Sequence, residues 1–585
     1  MHQLVDPLNN LTLSALVAAI PVFFIFWSFV RRMKGYVASV ITLLLAMIIA
    51  VFIYRMPMPL VLSSALHGAL YGLFPICWII IGPVFLFNVT VRSGQFEVIR
   101  NFMASITPDR RLQALLIAFS FGAFLEGSSG FGAPVAITAA MLVGLGFNPL
   151  YAAGLCLIAN TAPVAFGSVG IPIIMAASVT DIPELAISQM VGRTLPLLSM
   201  FLPLYLVVLM SGMRRAMEVL PALIVSGVSF ALFQWFTSNY MGPLLPDVVA
   251  GLASILCLML LLRFWKPKTT WKFEEEAQSL VEAKSNYNFS EILRAWSPFI
   301  IMTLFIVTWG LEPVKTLLNS VGMLKVSIPL LQDSIFKPDG TALLIKPFEL
   351  NYLSAPGTAL LAATFIAIPL LGMTYRQGIS IYWETLKQLK FPIIIITSIV
   401  AFAFTTNYSG MSITMGMALA STGILFPFFS PVLGWLGVFL TGSDTSSNAL
   451  FCKLQATSAD TLGVDPVVTV SANASGGVTG KMISPQSIAI AAAAVGLVGK
   501  ESDLFRFTIR HSFILLFVIC ILTCIQAYVA PWMIPEYELT TSTASTNLPT
   551  SQAGIMYLSI FGVVLLSLVA TIAILNRRRL GRDGD

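Results

Sequence analysis

The sequence predicts an all-α polytopic membrane protein, and three observations lead to this fold class. Of the 585 residues, 57% are hydrophobic and only 10% are charged, whereas soluble domains carry about 25% charged residues. The mean hydropathy is +0.87, and apolar runs long enough to cross a bilayer as helices recur along the chain. These runs are continuous rather than alternating, which argues against a transmembrane β-barrel. The same composition excludes a soluble enzyme and a disordered chain.

The apolar runs fall into two groups on either side of a polar stretch. The first group lies at 11–30, 37–54, 60–91, 149–178, 186–212, 217–238 and 247–264. The second group lies at 297–311, 351–373, 389–406, 412–441, 484–499, 512–531 and 555–576. Some runs are too long or too broken for one simple helix. We therefore expect about 12–14 transmembrane helices together with re-entrant hairpins.

Basic residues cluster in alternate loops between the runs. The clusters lie at 31–34, 92–111, 214–215, 263–272, 376–390, 500–510 and 577–579. Because cytoplasmic loops carry the excess of Lys and Arg, this pattern places the N-terminus outside and the C-terminus inside. The neutral or acidic loops, including 239–247 and 320–350, then lie on the outer side.

The most polar internal stretch divides the chain into two membrane halves. We expect a first half at 1–262, a cytoplasmic connector at 263–296 and a second half at 297–535. The remainder, 536–585, is predicted to hold an outer loop, a last transmembrane helix and a basic cytoplasmic tail. The acidic run 274–276 in the connector is expected to be a solvated surface.

Two Gly/Ser/Thr-rich segments interrupt the apolar pattern, and each carries one carboxylate. Glu126 lies in the segment 125–134, and Asp444 lies in the segment 440–449. Non-helical backbone at membrane depth persists only where it is buried in protein or lines a wet cavity. An ionisable group there costs roughly 2.5–3.5 kcal/mol on insertion scales. We therefore interpret both segments as parts of a functional site rather than as simple helix kinks.

A second pair of interruptions follows at similar spacing. Asn160 leads into a stretch broken by Gly and Pro at 167–172, and Asn473 leads into another at 480–485. Corresponding interruptions in two halves are typical of transporters built from structural repeats. Residue identity between the halves is low, so these two pseudo-repeats and their inverted topology are inferred from the pattern alone.

The chemistry of these segments suits an anion carrier. Broken helices present free N–H groups and positive dipole ends. Glu126 and Asp444 could each carry a proton or bind a cation, and Arg193 or Lys481 could neutralise an acid or hold the substrate. The other candidate substrate-binding residues are Ser128, Ser129, Gly130, Asn160, Thr161, Thr441, Gly442, Ser443, Thr445, Ser446, Asn448, Asn473 and Gln486.

Catalytic and cofactor motifs are not recognisable in this sequence. There is no H-E-x-x-H motif, and three histidines are too few for a His-rich metal site. The segment 476–482 is not a phosphate loop, because Ser475 replaces its first Gly and Met482 follows Lys481 where Ser or Thr is needed. We expect no enzyme activity, cofactor or metal. The net charge of +6 comes from short basic loops and predicts no nucleic-acid partner.

At these segments the sequence resembles the bacterial lactate permease family. The resemblance rests on long motifs at 124–127 (FLEG), 130–137 (GFGAPVAI), 160–167 (NTAPVAFG), 434–439 (GWLGVF), 441–451 (TGSDTSSNALF), 476–483 (GGVTGKMI) and 484–488 (SPQSI). It extends from the first helix to about residue 535. The family implies proton co-transport of 2-hydroxymonocarboxylates such as L-lactate, D-lactate and glycolate. Paired re-entrant hairpins and an elevator motion follow only by analogy between folds.

The sequence thus predicts a secondary active transporter that imports these anions with protons across a bacterial inner membrane. Its partners would be the small-molecule substrate, the proton and the lipid bilayer. A sodium-coupled carboxylate carrier and an uncoupled anion-binding channel or sensor are the alternatives. The oligomeric state stays open, with a homodimer as one arrangement.

Overall fold

The computed structural model describes the chain except residues 32, 131, 274–286, 333, 339, 344, 346, 539–550 and 581–585. It leaves out the side chains of 29, 30, 551–554 and 573–580 as well. The acidic run 274–276, Arg32 and most of the loop 536–550 therefore lie outside the described residues, as do the side chains of the basic cluster 577–579.

The helices before the polar connector are numbered α1–α15. They are α1 (Leu11–Ala18), α2 (Ile20–Val30), α3 (Gly35–Phe52), α4 (Met58–Tyr71), α5 (Trp78–Arg92), α6 (Gln95–Ser105), α7 (Arg110–Gln113), α8 (Gly122–Ser128), α9 (Ala133–Gly144), α10 (Pro149–Ala159), α11 (Gly167–Thr180), α12 (Glu184–Ser211), α13 (Met213–Met217), α14 (Leu220–Tyr240) and α15 (Pro246–Phe264). Short π-helical segments join α4 to α5 (Gly72–Cys77) and α7 to α8 (Ala114–Phe121), and a 3-10 turn (Val164–Phe166) precedes α11.

The helices after the connector are numbered α16–α26. They are α16 (Phe289–Gly310), α17 (Glu312–Gly322), α18 (Pro356–Leu370), α19 (Tyr375–Ser409), α20 (Met411–Ala420), α21 (Phe426–Thr441), α22 (Asp444–Leu462), α23 (Pro466–Lys481), α24 (Pro485–Ala494), α25 (Glu501–Cys524) and α26 (Ser551–Leu580). Further short turns lie at Gly423–Leu425, Ile525–Val529 and Pro531–Met533. Strands β1 (Leu324–Val326) and β2 (Phe348–Leu350) pair antiparallel, with Leu324 opposite Leu350.

The all-α membrane fold is confirmed. Within the described residues, 10 helices are long and apolar enough to cross a membrane, or up to 12 if each of two bent pairs counts as one span. One bent pair is α1 with α2, and the other is α10 with α11. The count therefore meets the predicted 12–14 only at its lower end. The difference arises because the runs 351–373 and 484–499 fold as the shorter helices α18, with 15 residues, and α24, with 10 residues.

Several helices that precede the polar connector pack against helices that follow it. Helices α3 and α4 lie against α19, α5 lies against α18, and α11 lies against α22. Backbones approach closely where glycine allows it: a Cβ on Gly68 would lie 2.6 Å from Cα of Ala401, and one on Gly72 would lie 2.9 Å from Cα of Thr397. Small residues at such contacts are the usual means of packing helices in membranes.

Contacts along α19 define two opposite faces of the molecule. At 35 residues this helix is about 52 Å long. Near its start, Glu384 pairs with Arg92 at 2.6 Å, in a region we call the basic-loop face. Near its end, the carbonyl of Asn407 accepts a hydrogen bond from Gln3 at 2.8 Å, and this region is called the N-terminal face.

Other loops lie on the same two faces of the molecule. The N-terminal ammonium of Met1 donates to the carbonyl of Ser334 at 2.6 Å, which joins the N-terminus to the loop 320–350. On the basic-loop face, Arg111 donates to Glu218 at 2.8 Å and to the carbonyl of Thr269 at 2.9 Å. The N-terminus and the loop 320–350, both predicted to be outer, thus lie together, and so do these basic loops. Which face meets the cytoplasm stays a prediction.

Candidate functional site

The two helix breaks of the first half contact each other. Helix α8 ends at Ser128, and the chain turns through Gly130 and Gly132, whose φ angles of 62° and 81° are left-handed. Helix α11 opens with Ser168, Val169 and Gly170, all with left-handed backbones, although residues other than glycine rarely adopt this conformation. The hydroxyl of Ser168 donates to the carbonyl of Ser129 at 3.0 Å, which holds the two breaks together.

The second half repeats this arrangement with different residues. Helix α21 ends before Gly442, whose φ is 69°, and Ser443 caps α22 by accepting from the backbone N–H of Ser446. Helix α24 begins after Ser484, which caps it in the same way. The side chain of Gln486 lies against Gly442, where an added Cβ would be 2.4 Å from its Oε1. Two breaks therefore meet in this half as well.

A buried ion pair joins the two sets of breaks. Nζ of Lys481, the last residue of α23, lies 2.5 Å from Oε1 of Glu126 in the last turn of α8. Glu126 is 2% exposed, and its other oxygen, Oε2, has no hydrogen-bond partner among the described residues. Gly167 leaves room for this carboxylate, since an added Cβ would be 2.9 Å from Oε1.

Asp444 is the second buried acid of the site. It is the first residue of α22 and is 3% exposed, and neither carboxylate oxygen has a hydrogen-bond partner in the described part of the chain. Gly477 on α23 faces it, and an added Cβ there would lie 2.3 Å from Oδ1. The helix N-terminus stabilises negative charge at this position, but only partly.

These residues surround a cavity of about 330 Å³ between the two halves. Its lining also includes Gly35 and Ser39 at the start of α3, and Ile395 and Ile399 on α19. The predicted site residues that line it are Glu126, Thr441, Gly442, Ser443, Asp444, Thr445, Ser446, Lys481 and Gln486. The wall is therefore polar at the helix breaks and apolar on the side of α19.

Other predicted residues support the breaks without lining the cavity. The hydroxyls of Ser128 and Ser129 donate to the carbonyl of Leu125, at 3.2 and 2.9 Å. Gly130 packs on Ser168, where an added Cβ would be 2.0 Å from Oγ. Asn160 follows the last residue of α10, and the buried hydroxyl of Thr161 has no partner among the described residues.

Asn448, one turn beyond Asp444 in α22, connects the two halves, and Asn473 in α23 holds its side chain. The amide of Asn448 donates to the carbonyl of Pro172 in α11 at 2.9 Å. Its oxygen accepts from Asn473 in α23 at 2.8 Å. These two amides thus close the space between α11, α22 and α23 beside the cavity.

Arg193 lies away from this site. Its Nε donates to Oδ1 of Asn239 at 2.9 Å, and its Nη1 donates to the carbonyl of Met533 at 2.7 Å. It lines a separate surface pocket between α12 and α14. The position of Arg193 in an apolar run indicates that its charge is buried. The sequence does not show which residue pairs with it.

Asp247 and Ser168 are polar residues near the site that the sequence pattern does not single out. Asp247 is 1% exposed in the first turn of α15, and its Oδ1 accepts from Nε2 of Gln234 at 3.1 Å. The charge pattern of the loops places it in an outer loop instead. The signal that could have identified it is its position at the very start of an apolar run, directly after Pro246.

Three buried carboxylates and one ammonium group therefore lie in the site or directly beside it. Lys481 can balance the charge of Glu126, which it contacts. Three oxygens of Asp444 and Asp247 have no donor in the described residues, and an ionised carboxylate buried in this way is very costly. A proton or a cation on either acid would remove this cost. No group of three His, Cys, Asp or Glu side chains suited to a metal occurs among the described residues.

A second cavity, of about 270 Å³, lies toward the N-terminal face. Three helices line both cavities. On α11 the first contacts Gly167 and Pro172 and the second contacts Ile174 and Ala177. On α19 and α22 the second cavity contacts Tyr408 and Lys453. The two spaces thus lie at different levels along the same helices, with the contact between Asn448 and Pro172 between them.

Comparison with known proteins gives consistent matches over almost the whole chain. A family model described as L-lactate permease matches residues 14–530. A protein of Bacillus subtilis (strain 168) named L-lactate permease is 55% identical over 553 residues, covering 90% of this chain and 98% of that protein. A protein of Escherichia coli (strain K12) named glycolate permease GlcA is 52% identical, covering 91% of this chain and 99% of that protein.

Among solved structures, the similarity is remote. MtrF of Neisseria gonorrhoeae, whose structure is titled as illuminating a class of antimetabolite efflux pumps, aligns with a TM-score of 0.44 at 14% identity. The alignment covers 79% of this chain and 83% of that chain.

Proposed function

Because this chain belongs to the L-lactate permease family, we propose that it imports 2-hydroxymonocarboxylates by proton symport across the bacterial inner membrane. The chain is a multi-pass membrane permease and not an enzyme. The proposed substrates are L-lactate, D-lactate and glycolate, since relatives at 52–55% identity are named for lactate and for glycolate.

The contact between Lys481 and Glu126 carries this proposal. A buried ammonium group can hold either the ionised Glu126 or the carboxylate of a substrate, and at 2.5 Å it is engaged by Glu126. A proton on Glu126 removes that charge and releases Lys481 to the substrate. Proton binding must then precede or accompany anion binding, which is the requirement for symport.

The start of α22 supplies the second part of the anion site. Thr445 and Ser446 line the cavity in the first turn of this helix, where free N–H groups favour negative charge. An ionised Asp444 at the same point would repel the substrate, so Asp444 is neutral when the anion binds. The isoleucines of α19 and α11 then provide an apolar wall for the small carbon skeleton of the substrate.

The two cavities provide a route for alternating access. The larger one extends to Gly35, directly after the basic cluster 31–34, and the smaller one lies near the N-terminal face. Opening the contact between Asn448 and Pro172 while the first cavity closes would move the site from one face to the other. Carriers built from two repeats work by such rearrangements around a central site.

The driving force depends on the number of protons. One proton with one monovalent anion moves no net charge, so only ΔpH drives uptake. A second proton would add roughly 2.3 kcal/mol per 100 mV of membrane potential. If Asp444 keeps its proton throughout the cycle, the ratio is one to one.

Uptake of labelled L-lactate into proteoliposomes tests the function directly. We expect accumulation above equilibrium when an inward ΔpH is imposed without Na⁺, and its collapse with a protonophore. Competition by D-lactate and glycolate then ranks the substrates. Accumulation that requires Na⁺ would favour the sodium-coupled alternative, in which the unpartnered oxygens of Asp444 hold the cation. Equilibration without accumulation would indicate an uncoupled channel.

A further inference from the structure

Asp247 has features that a purely structural carboxylate lacks. It is almost fully buried, yet only one of its oxygens is satisfied: Oδ1 accepts from Gln234, while Oδ2 has no partner among the described residues. Buried polar atoms are nearly always paired, and exceptions occur at functional sites. An acid that merely stabilised α15 would be expected to engage both oxygens.

Gln234 is itself held in a fixed orientation. Its Oε1 accepts from the hydroxyl of Ser199 at 3.3 Å, and its Nε2 donates both to the carbonyl of Ala162 and to Oδ1 of Asp247, each at 3.1 Å. Ala162 belongs to the break that follows α10. The network therefore fixes Asp247 against a helix break of the first half and leaves Oδ2 free for a proton.

Asp247 lies directly behind Glu126. An added Cβ on Gly127 would lie 2.7 Å from Cβ of Asp247, so the backbone after Glu126 rests on this side chain. The charged groups that act electrostatically on Asp247 are Glu126 on α8 and Lys481 on α23. Gln234 on α14 is neutral, and the π-helical segment Ala114–Phe121, which also packs against α15, contains no charged residue.

Asp247 is not in contact with the substrate cavity, although Glu126 and Lys481 are. It lies at the start of α15, whereas the residues after the end of that helix reach Arg111 on the basic-loop face through Thr269. Only the short loop 241–245 separates it from the end of α14. Asp247 thus lies on the side of Glu126 opposite the basic-loop face, and it lines neither of the two cavities along α11, α19 and α22.

We propose that Asp247 is a second proton-binding residue that delivers protons to Glu126 by a route separate from that of the substrate. In the step, the proton on Oδ2 of Asp247 passes to Glu126, either directly or through water. Asp247 becomes a carboxylate, Glu126 becomes neutral, and Lys481 is released to the substrate anion. The next proton from solution restores Asp247. This inference rests on the proposed proton symport.

The Asp247→Asn variant tests the proposal, because it keeps the size of the side chain and cannot carry the proton. Two assays in proteoliposomes are compared: accumulation of L-lactate under an imposed ΔpH, and exchange of labelled for unlabelled L-lactate at equal pH. We expect accumulation to fall by about a hundredfold, which is the low end of what a positioned proton donor contributes. Exchange should be retained, because the substrate site is intact.

The control is Glu312→Gln, which removes an exposed acid at the start of α17 and should change neither assay. Unchanged accumulation in Asp247→Asn would overturn the proposal, and so would the parallel loss of accumulation and exchange in a folded variant. If Asp247→Asn does not fold, Gln234→Leu, which removes the donor to Oδ1, is judged by the same outcomes. Failure of the unmodified protein to accumulate L-lactate under ΔpH would instead refute the proposed symport itself.

Discussion

Lys481, the last residue of α23, contacts Glu126 in the last turn of α8 at 2.5 Å, although 355 positions separate them in the chain. The contact places a base from one half of the chain on an acid from the other, at the point where four helix breaks meet. In the proposed symport, the same ammonium group serves Glu126 and the substrate in turn.

The stability of this ion pair can be measured by a double-mutant cycle. Removing one partner of a buried pair leaves an uncompensated charge and typically costs about 3–5 kcal/mol. We expect Lys481→Met to lower the Tm in detergent, because it leaves the charge of Glu126 without a partner. Glu126→Gln should lower the Tm less, because the unpaired ammonium group of Lys481 is closer to the cavity surface. The double variant should be more stable than Lys481→Met alone. Additive losses in Tm would contradict a direct pairing of the two side chains.

The two acids that line the cavity, Glu126 and Asp444, should behave differently when neutralised. Glu126→Gln frees Lys481 permanently, so exchange of L-lactate should persist while accumulation under ΔpH is lost. Asp444→Asn only fixes the neutral state that the anion requires, and accumulation should be largely retained. Both assays use labelled L-lactate in proteoliposomes. If both variants keep full accumulation, the coupling scheme is wrong, whereas the reverse pattern would assign the coupled proton to Asp444.

Gly477 should be intolerant of even one methyl group. An added Cβ would lie 2.3 Å from Oδ1 of Asp444, so Gly477→Ala must displace this acid or the start of α22. We expect uptake to fall by an order of magnitude or more. A displacement of about 1 Å can cost an enzyme a hundredfold in rate, and we expect a displaced binding group to slow transport in a similar way. Gly144→Ala is the matched control, since nothing lies within 4 Å of its added Cβ. Equal uptake by the two variants would show that the contact is unimportant.

Arg111 should fix the start of the polar connector to the basic-loop face. Its buried guanidinium pairs with Asp109 and Glu218 and donates to the carbonyl of Thr269. We expect Arg111→Gln to lower the Tm and to speed proteolysis within 266–273, while Glu218→Gln, on the exposed side of the pair, has a small effect. Proteolysis unchanged from that of the unmodified protein would contradict the anchoring role.

The pKa of Glu218 determines how the contact with Arg111 responds to pH. Hydrogen bonds from Arg111 and Thr269 lower the pKa of Glu218. A carboxyl whose pKa is lowered on folding stabilises the folded state above its unfolded pKa of about 4.3, and the contribution is lost as the pH falls through the folded value. The Tm difference between the unmodified protein and Glu218→Gln should therefore be constant near neutral pH and shrink below about pH 4. A difference that grows on acidification would contradict the assignment.

The membrane fold and part of the site could be predicted from the sequence, because polar residues inside apolar runs are visible without a structure. Glu126, Asp444 and Lys481 stand out in this way, and the structure brings them around one cavity. Arg193 stands out equally, yet it contacts Asn239 on α14. The packing of α12 against α14 determines this partner, and the sequence pattern does not show which helices pack together. Asp247 stands where a predicted loop meets an apolar run, and the approach of α8 to α15 at Gly127 shows that it is buried beside Glu126.

The competition for Lys481 is tested most directly by counting the protons taken up when L-lactate binds. Titration calorimetry of the purified protein at one pH, in two buffers of different ionisation enthalpy, gives this number. At a pH where Glu126 is ionised, we predict about one proton per lactate for the unmodified protein and about none for Glu126→Gln, which should still bind. The same proton count in both proteins, or no proton uptake in the unmodified protein, would contradict this competition.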